Sequence, residues 1–146
     1  MPSTKEIPIT VQTSEPAALT ATREAHVAAL NAGDAESWVA CFAADAVQMP
    51  PNQPANVGVE NIQAWSSAFL GAFDLVFALD PHDVQLAGED WAFERGTYEI
   101  GVTPRTGGDA LRDVGKYLTI YRRDTDGSWA MAQDIWNSDS APPSAG

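Results

Sequence analysis

From Ser14 onward, side chains recur at helical spacing. Leu19, Thr22, His26 and Leu30 fall on one stripe, with Val27 and Ala29 on its flanks. Ser14 or Thr13 is placed to cap this helix, Pro16 suits its first turn, and Asn31-Ala32-Gly33 supplies a stop. His26 is therefore expected to point toward the core. A second helix, capped by Asp34 and favoured by Glu36 in its first turn, turns Trp38, Cys41 and Phe42 inward and ends near Asp45. AVQMPPNQPANVG follows: a short apolar run stopped by Pro50-Pro51, then a turn rich in Pro and Asn, which predicts a small hairpin at a sheet edge. After Gly58, the residues Ile62, Trp65, Phe69 and Phe73 repeat at helical spacing and give the clearest amphipathic signal in the chain.

Beyond Phe73 the period changes to two. Leu75 to Leu86, Trp91 to Val102, Gly115 to Arg123 and Ser128 to Asn137 read as four strands. Gly88-Glu89-Asp90 and Asp124 to Gly127 are short turns between antiparallel neighbours, TPRTGGDALRD is a longer loop, and Pro81 marks an edge position or a bulge. Three helices followed by a meander of strands, without βαβ alternation, predict the α+β class, with helices on one face of a curved antiparallel sheet. No internal repeat is present. Residues 1–14, and the tail 139–146, mix Pro, Ser and Thr or charge without periodicity, so one domain is expected over 15–138, with a loosely ordered arm before it and a flexible tail after it.

The chain has 146 residues, a length that suits one hydrophobic core rather than two. No stretch approaches the about 20 apolar residues that cross a bilayer, and the first residues lack the basic and apolar regions of a secretory signal. A cytoplasmic protein with no membrane partner is expected. Twenty acidic against eight basic side chains give a net charge of −12, which opposes the counterion release that drives nucleic-acid binding. Cys41 is the sole cysteine and the two histidines are 56 positions apart, so no internal disulfide can form and no metal site is expected. G-x-S-x-G, Walker A, G-x-G-x-x-G and H-E-x-x-H patterns are missing, so no cofactor is expected either.

The order helix, helix, hairpin, helix, four strands, together with AALNAGD, FAADAV and GKYLTIYRRDTDGSWAMAQDIWNSD, resembles the nuclear-transport-factor-2-like superfamily. The last motif is similar to its SnoaL-like branch, related to ketosteroid isomerase, and to the uncharacterised relatives of that branch. The similarity spans roughly residues 15–139. It implies a cone in which a strongly bent sheet wraps the helices around an apolar cavity, and homodimers paired through the convex sheet face. The superfamily includes ketosteroid isomerase, scytalone dehydratase, limonene epoxide hydrolase and polyketide cyclases, alongside members without catalysis, so fold alone does not choose a function. The isomerase pattern places its oxyanion-donating tyrosine at about His26 and its base at about Pro50; a proline takes no proton, which disfavours steroid isomerisation. The same resemblance places a cavity aromatic at Trp136 and an inward position at Asp134.

Asp134 shares a strand face with Ala130, Ala132 and Trp136, where a carboxylate is costly unless paired or protonated. It is either a general acid or base with a raised pKa, or half of an ion pair with Lys116 or Arg95 that ties strands together. Strict alternation puts Lys116 on the face of Leu118 and Ile120; pointing inward it would stabilise an enolate or alkoxide, and otherwise it runs out along the sheet. His26 is either the base, with its tautomer fixed by Asp134 or Glu94, or a core histidine bonded to a backbone carbonyl. Tyr98 shares its face with Ala92, Glu94 and Gly96 and offers a phenol to a ligand oxygen, with space beside it at Gly96; of Glu94 and Arg95, only one faces inward. Trp65, Trp136 and Phe69 are expected as aromatic walls, with core-filling the better reading for Phe69, while Gln48 and Met49 edge the mouth. The expected function is proton transfer on a small, largely apolar molecule, as in isomerisation, dehydration or cyclisation. The rival is a ligand-binding or dimerisation module without catalysis.

Overall fold

Helix α1 (Ala17–Ala32) buries Leu19, His26, Ala29 and Leu30 and stops at Gly33, whose φ of 69° lets its N–H turn back to the Leu30 carbonyl. Pro16 occupies the N-cap itself and gives no side-chain cap. The computed structural model describes residues 15–141. Thr13, Ser14, the expected arm and residues 142–146 of the expected tail lie outside them.

Asp34 caps α2 (Ala35–Val39) by accepting from the Ser37 N–H at 3.1 Å, but this helix is only five residues long and does not reach Asp45. The alanine-rich run after it becomes strand β1 (Phe42–Met49) instead. Pairing decides this: β1 lies between the short β2 (Asn56–Val57), antiparallel to it, and β6 (Trp129–Ser138), parallel to it, so two ladders outweigh alanine's helix preference. The expected hairpin exists, and its outer strand is the edge.

Helix α3 (Val59–Ala72) follows Gly58 and turns Ile62, Ser66 and Leu70 into the interior. Strands β3 (Phe73–Ala87), β4 (Trp91–Pro104), β5 (Leu111–Arg123) and β6 then form an antiparallel meander. The strands β4 and β5 extend further than expected, which shortens the loop between them to residues 105–110. The six-stranded sheet runs β2-β1-β6-β5-β4-β3, curved and unclosed, in an α+β architecture.

Three register shifts interrupt the sheet, one of them between Phe42 and Val47 where β1 pairs with β6. The edge strand β3 bulges between Pro81 and Asp83, so Pro81 is at an edge and at an irregularity together. In β6, Tyr121 pairs with Met131 but Ile120 with Gln133, leaving Ala132 as the extra residue. The inserted residue resets the alternation, so that Trp129 and Met131 before it and Asp134 after it are all buried. The core between the helices and the concave face gathers Leu19, Leu30, Ile62, Leu70, Tyr121 and Met131.

Candidate functional site

One row of residues crosses all six strands side by side: Val84, Glu94, Thr119, Asp134, Gln48 and Asn56. Its four central members are buried, so the concave face carries a polar belt inside an otherwise apolar interior. Buried polar groups need partners, and each of the four has at least one. Arg23 on α1 donates from Nε to Glu94 Oε1 at 2.9 Å, and the Tyr117 hydroxyl donates to Glu94 Oε2. Arg23 Nη2 lies 2.8 Å from both Glu15 and Glu94 but off the hydrogen-bond angle, an ionic rather than a directional contact. Gln48 donates to Ser66 Oγ at 3.4 Å and accepts from Asn56 at 2.9 Å. Asp134 accepts from Thr119 Oγ1 at 2.8 Å, the one side-chain hydrogen bond it makes among the described residues.

Above that belt, α1, α2, α3 and the concave sheet enclose a pocket of about 250 Å³, just under the roughly 300–1,000 Å³ of drug-sized ligand sites. His26, Asp134, Tyr98, Trp65, Phe69 and Trp136 all line it. Its walls are aromatic: Trp65 stacks on Phe69 at 5.2 Å and meets Trp136 edge-on at 6.1 Å, while Trp38 stacks on His26 at 6.0 Å. Trp65 is held by its indole N–H, which donates to Gln53 at 2.9 Å.

Burial lowers the His26 pKa to about 4, so its ring is a neutral imidazole at physiological pH. Neither Asp134 nor Glu94 hydrogen-bonds it among the described residues; it packs instead between Trp38 and Phe77. Burial also pushes Asp134 up to about 7; the Thr119 hydroxyl pulls the other way, and the negative charge of Glu94 adds to the rise. Tyr98 is raised above the ordinary phenol value, first by burial and then by Asp113, to which its hydroxyl donates at 3.2 Å. Its proton is thus already committed, leaving the oxygen lone pairs for a ligand.

Three expected site residues are elsewhere. Lys116 points outward, its side chain 53% exposed, and pairs with Asp139 at 2.9 Å and with the Ser138 carbonyl at 3.2 Å. The inward residues of β5 are Gly115, Tyr117, Thr119 and Tyr121, opposite in parity to the expectation. Asp134 accordingly pairs with neither Lys116 nor Arg95. Gln48 belongs to the belt beneath α3, and Met49 beside it does not line the pocket; Pro51 and Gln53 do. Glu94 is the inward member of its pair with Arg95.

Tyr117 and Asp113 were missing from the expected set, and both lie on the Thr119 parity of β5. Asp113 accepts from Ser138 Oγ at 2.6 Å as well as from Tyr98. The space expected at Gly96 is filled by Tyr117: a Cβ there would sit 2.9 Å from that ring and run into the Asp80 carbonyl. Gly115 does the same for Tyr98, whose ring would lie 2.6 Å from an added Cβ. Among the described residues, no group of three His, Cys, Asp or Glu is placed to hold a metal ion, and no helix is long and apolar enough to cross a membrane.

Comparisons with solved structures agree with this architecture. A ketosteroid isomerase-like protein from Erwinia carotovora atroseptica superposes with a TM-score of 0.80 at 26% identity, over 88% of this chain and 98% of that one. A nuclear-transport-factor-2-like superfamily protein from Salmonella enterica gives 0.75 at 13% identity, over 86% and 91%. A hexachlorocyclohexane dehydrochlorinase gives 0.76 at 14% identity, over 89% and 88%. No curated protein matches the chain in sequence. The sequence profile of the SnoaL-like domain matches residues 24–132, ending two positions before Asp134. With most of the chain inside that match and the matching fold around it, this protein belongs to the SnoaL-like domain family.

Proposed function

We propose that the pocket binds a small, largely apolar molecule and moves a proton on it, with Asp134 as the acid–base group. The observation that carries this reading is a buried carboxyl whose pKa, pushed to about 7, makes it able both to take and to give a proton near neutrality. Thr119 fixes one carboxyl oxygen and leaves the other for the substrate. His26, neutral because its pKa falls to about 4, serves as a hydrogen-bonding partner to a substrate oxygen and not as a resident cation. The aromatic walls hold the hydrocarbon part and keep water out, which strengthens the electrostatic interactions inside. Isomerisation, dehydration and cyclisation all need this machinery. The isomerase-like and dehydrochlorinase names of two structural neighbours agree with it in kind.

The test is carbon-bound hydrogen exchange. Cyclic ketones small enough for the pocket are incubated with the protein in heavy water, and deuterium uptake is read by mass spectrometry. Asp134→Asn is expected to slow uptake by roughly 10²–10⁴-fold with folding intact. Uptake at the unmodified rate in the Asn variant overturns the acid–base assignment and leaves a binding module without catalysis.

We also propose a homodimer through the convex sheet face. Trp91, Phe93, Val114, Leu118 and Ile135 are exposed there, with Leu118 beside Ile135 across the β5–β6 ladder. Leu118→Lys is expected to shift the mass measured by sedimentation from two copies to one.

A further inference from the structure

We propose that the pocket selects its ligand by charge, accepting a cationic amine on an aromatic or alicyclic body and rejecting an anion of the same size. This rests on reading the pocket as a ligand site.

None of its lining residues is Lys or Arg, whereas two of them, Asp113 and Asp134, are carboxyls. Arg23, the guanidinium that reaches the buried belt, is already engaged by Glu15 and Glu94. The one lining group that could become a cation, His26, stays neutral. An anion entering this space would lose its water and find no opposite charge. A cation meets the reverse situation. The faces of Trp65, Phe69 and Trp136 are electron-rich, and aromatic faces attract ammonium groups most strongly where water is excluded. Asp113 supplies the counter-charge. Ser138 takes one lone pair on Oδ1 and Tyr98 one on Oδ2, leaving about two of a carboxylate's roughly four acceptor positions for a ligand's N–H groups. The Tyr98 hydroxyl and Gly115 beneath its ring hold that carboxylate at the pocket wall.

The test uses three naphthyl compounds of matched size at neutral pH: naphthylmethylamine as the cation, naphthylmethanol as the neutral form and naphthoate as the anion. Calorimetric titration of the full chain is expected to rank amine over alcohol by about tenfold, and alcohol over naphthoate by at least as much. Asp113→Asn is expected to bring the amine down to the affinity of the alcohol. Glu60→Gln, an exposed change of equal charge on α3, is expected to preserve the ranking. Naphthoate binding as tightly as the amine overturns charge selection while the pocket stands as a ligand site. Failure of all three to bind overturns both readings. An Asp113→Asn protein that keeps the amine preference overturns the role of Asp113. If that variant does not fold, the ranking in the unmodified protein still decides whether charge selects.

Discussion

Glu94 and Asp134 stand in one row of the sheet with Thr119 between them, and they are almost equally hidden, at 0% and 4% exposure. Their surroundings differ in one respect. Glu94 receives a guanidinium from α1 and a phenol from β5, whereas Asp134 receives a single hydroxyl. Equal depth therefore goes with unequal pairing: one carboxyl has a cation beside it and the other has none. One carboxyl of the belt sits in a closed ionic clamp between helix and sheet. The other is an uncompensated group beside empty space.

The largest expected effect comes from making the first carboxyl resemble the second. Arg23→Ala leaves Glu94 buried without its cation and is expected to destabilise the fold by about 3–5 kcal/mol in urea denaturation at neutral pH. A loss below about 1 kcal/mol would show that the clamp is not what holds Glu94.

The next two predictions sharpen the contrast through pH. The folded pKa of Asp134 is raised from 3.8 to about 7, so across that window the folded carboxyl keeps a proton that the unfolded one has released. Its contribution is therefore favourable below the window and is lost as pH rises through about 7. Asp134→Asn is expected to raise stability by roughly 2–4 kcal/mol above pH 8, and to change it little near pH 4. His26 behaves oppositely. Its folded pKa is lowered from 6.5 to about 4, so its contribution is present above the window and is lost as pH falls through it. The two slopes offset each other in the unmodified protein. His26→Gln is expected to tilt the denaturation profile the other way, relieving roughly 2–3 kcal/mol of acid destabilisation. Parallel profiles for the two variants would break the contrast between a desolvated acid and a desolvated base.

Lys116→Ala is the smallest change. Its exposed pair with Asp139 is expected to contribute less than about 0.5 kcal/mol, and its loss is expected to leave ligand binding unaltered.

Helices α1 and α3 and the meander were legible because their signals are local: the stop at Gly33, the repeat from Ile62 to Phe69, and the turns at Gly88 and Gly127; Phe73, the last member of that repeat, already begins β3. What failed was decided at a distance. Phe42–Asp45 reads as the end of the second helix, and it joins strand β1 instead because β6 and β2 are there to pair with that strand. Lys116 was misplaced because Leu118 and Ile120 look like core residues. On this sheet the aliphatic residues of β5 face outward, and the pocket side carries glycine, tyrosine and threonine. Asp134 was placed correctly on an alternation that the bulge at Ala132 interrupts, so its direction depends on one inserted residue as much as on its neighbours.

Gly96 and Gly115 fix an upper limit on the size of any guest. Each lets a tyrosine ring lie flat against the strand, and a methyl group at either position would collide with a main-chain oxygen as well as with the ring above it. Alanine there would lift Tyr117 or Tyr98 into the hollow. Enlarging the chamber for a bulkier molecule must therefore proceed by trimming Phe69 on the helical side or Leu79 beside Tyr98 in the sheet, while the two bare backbone sites stay unaltered.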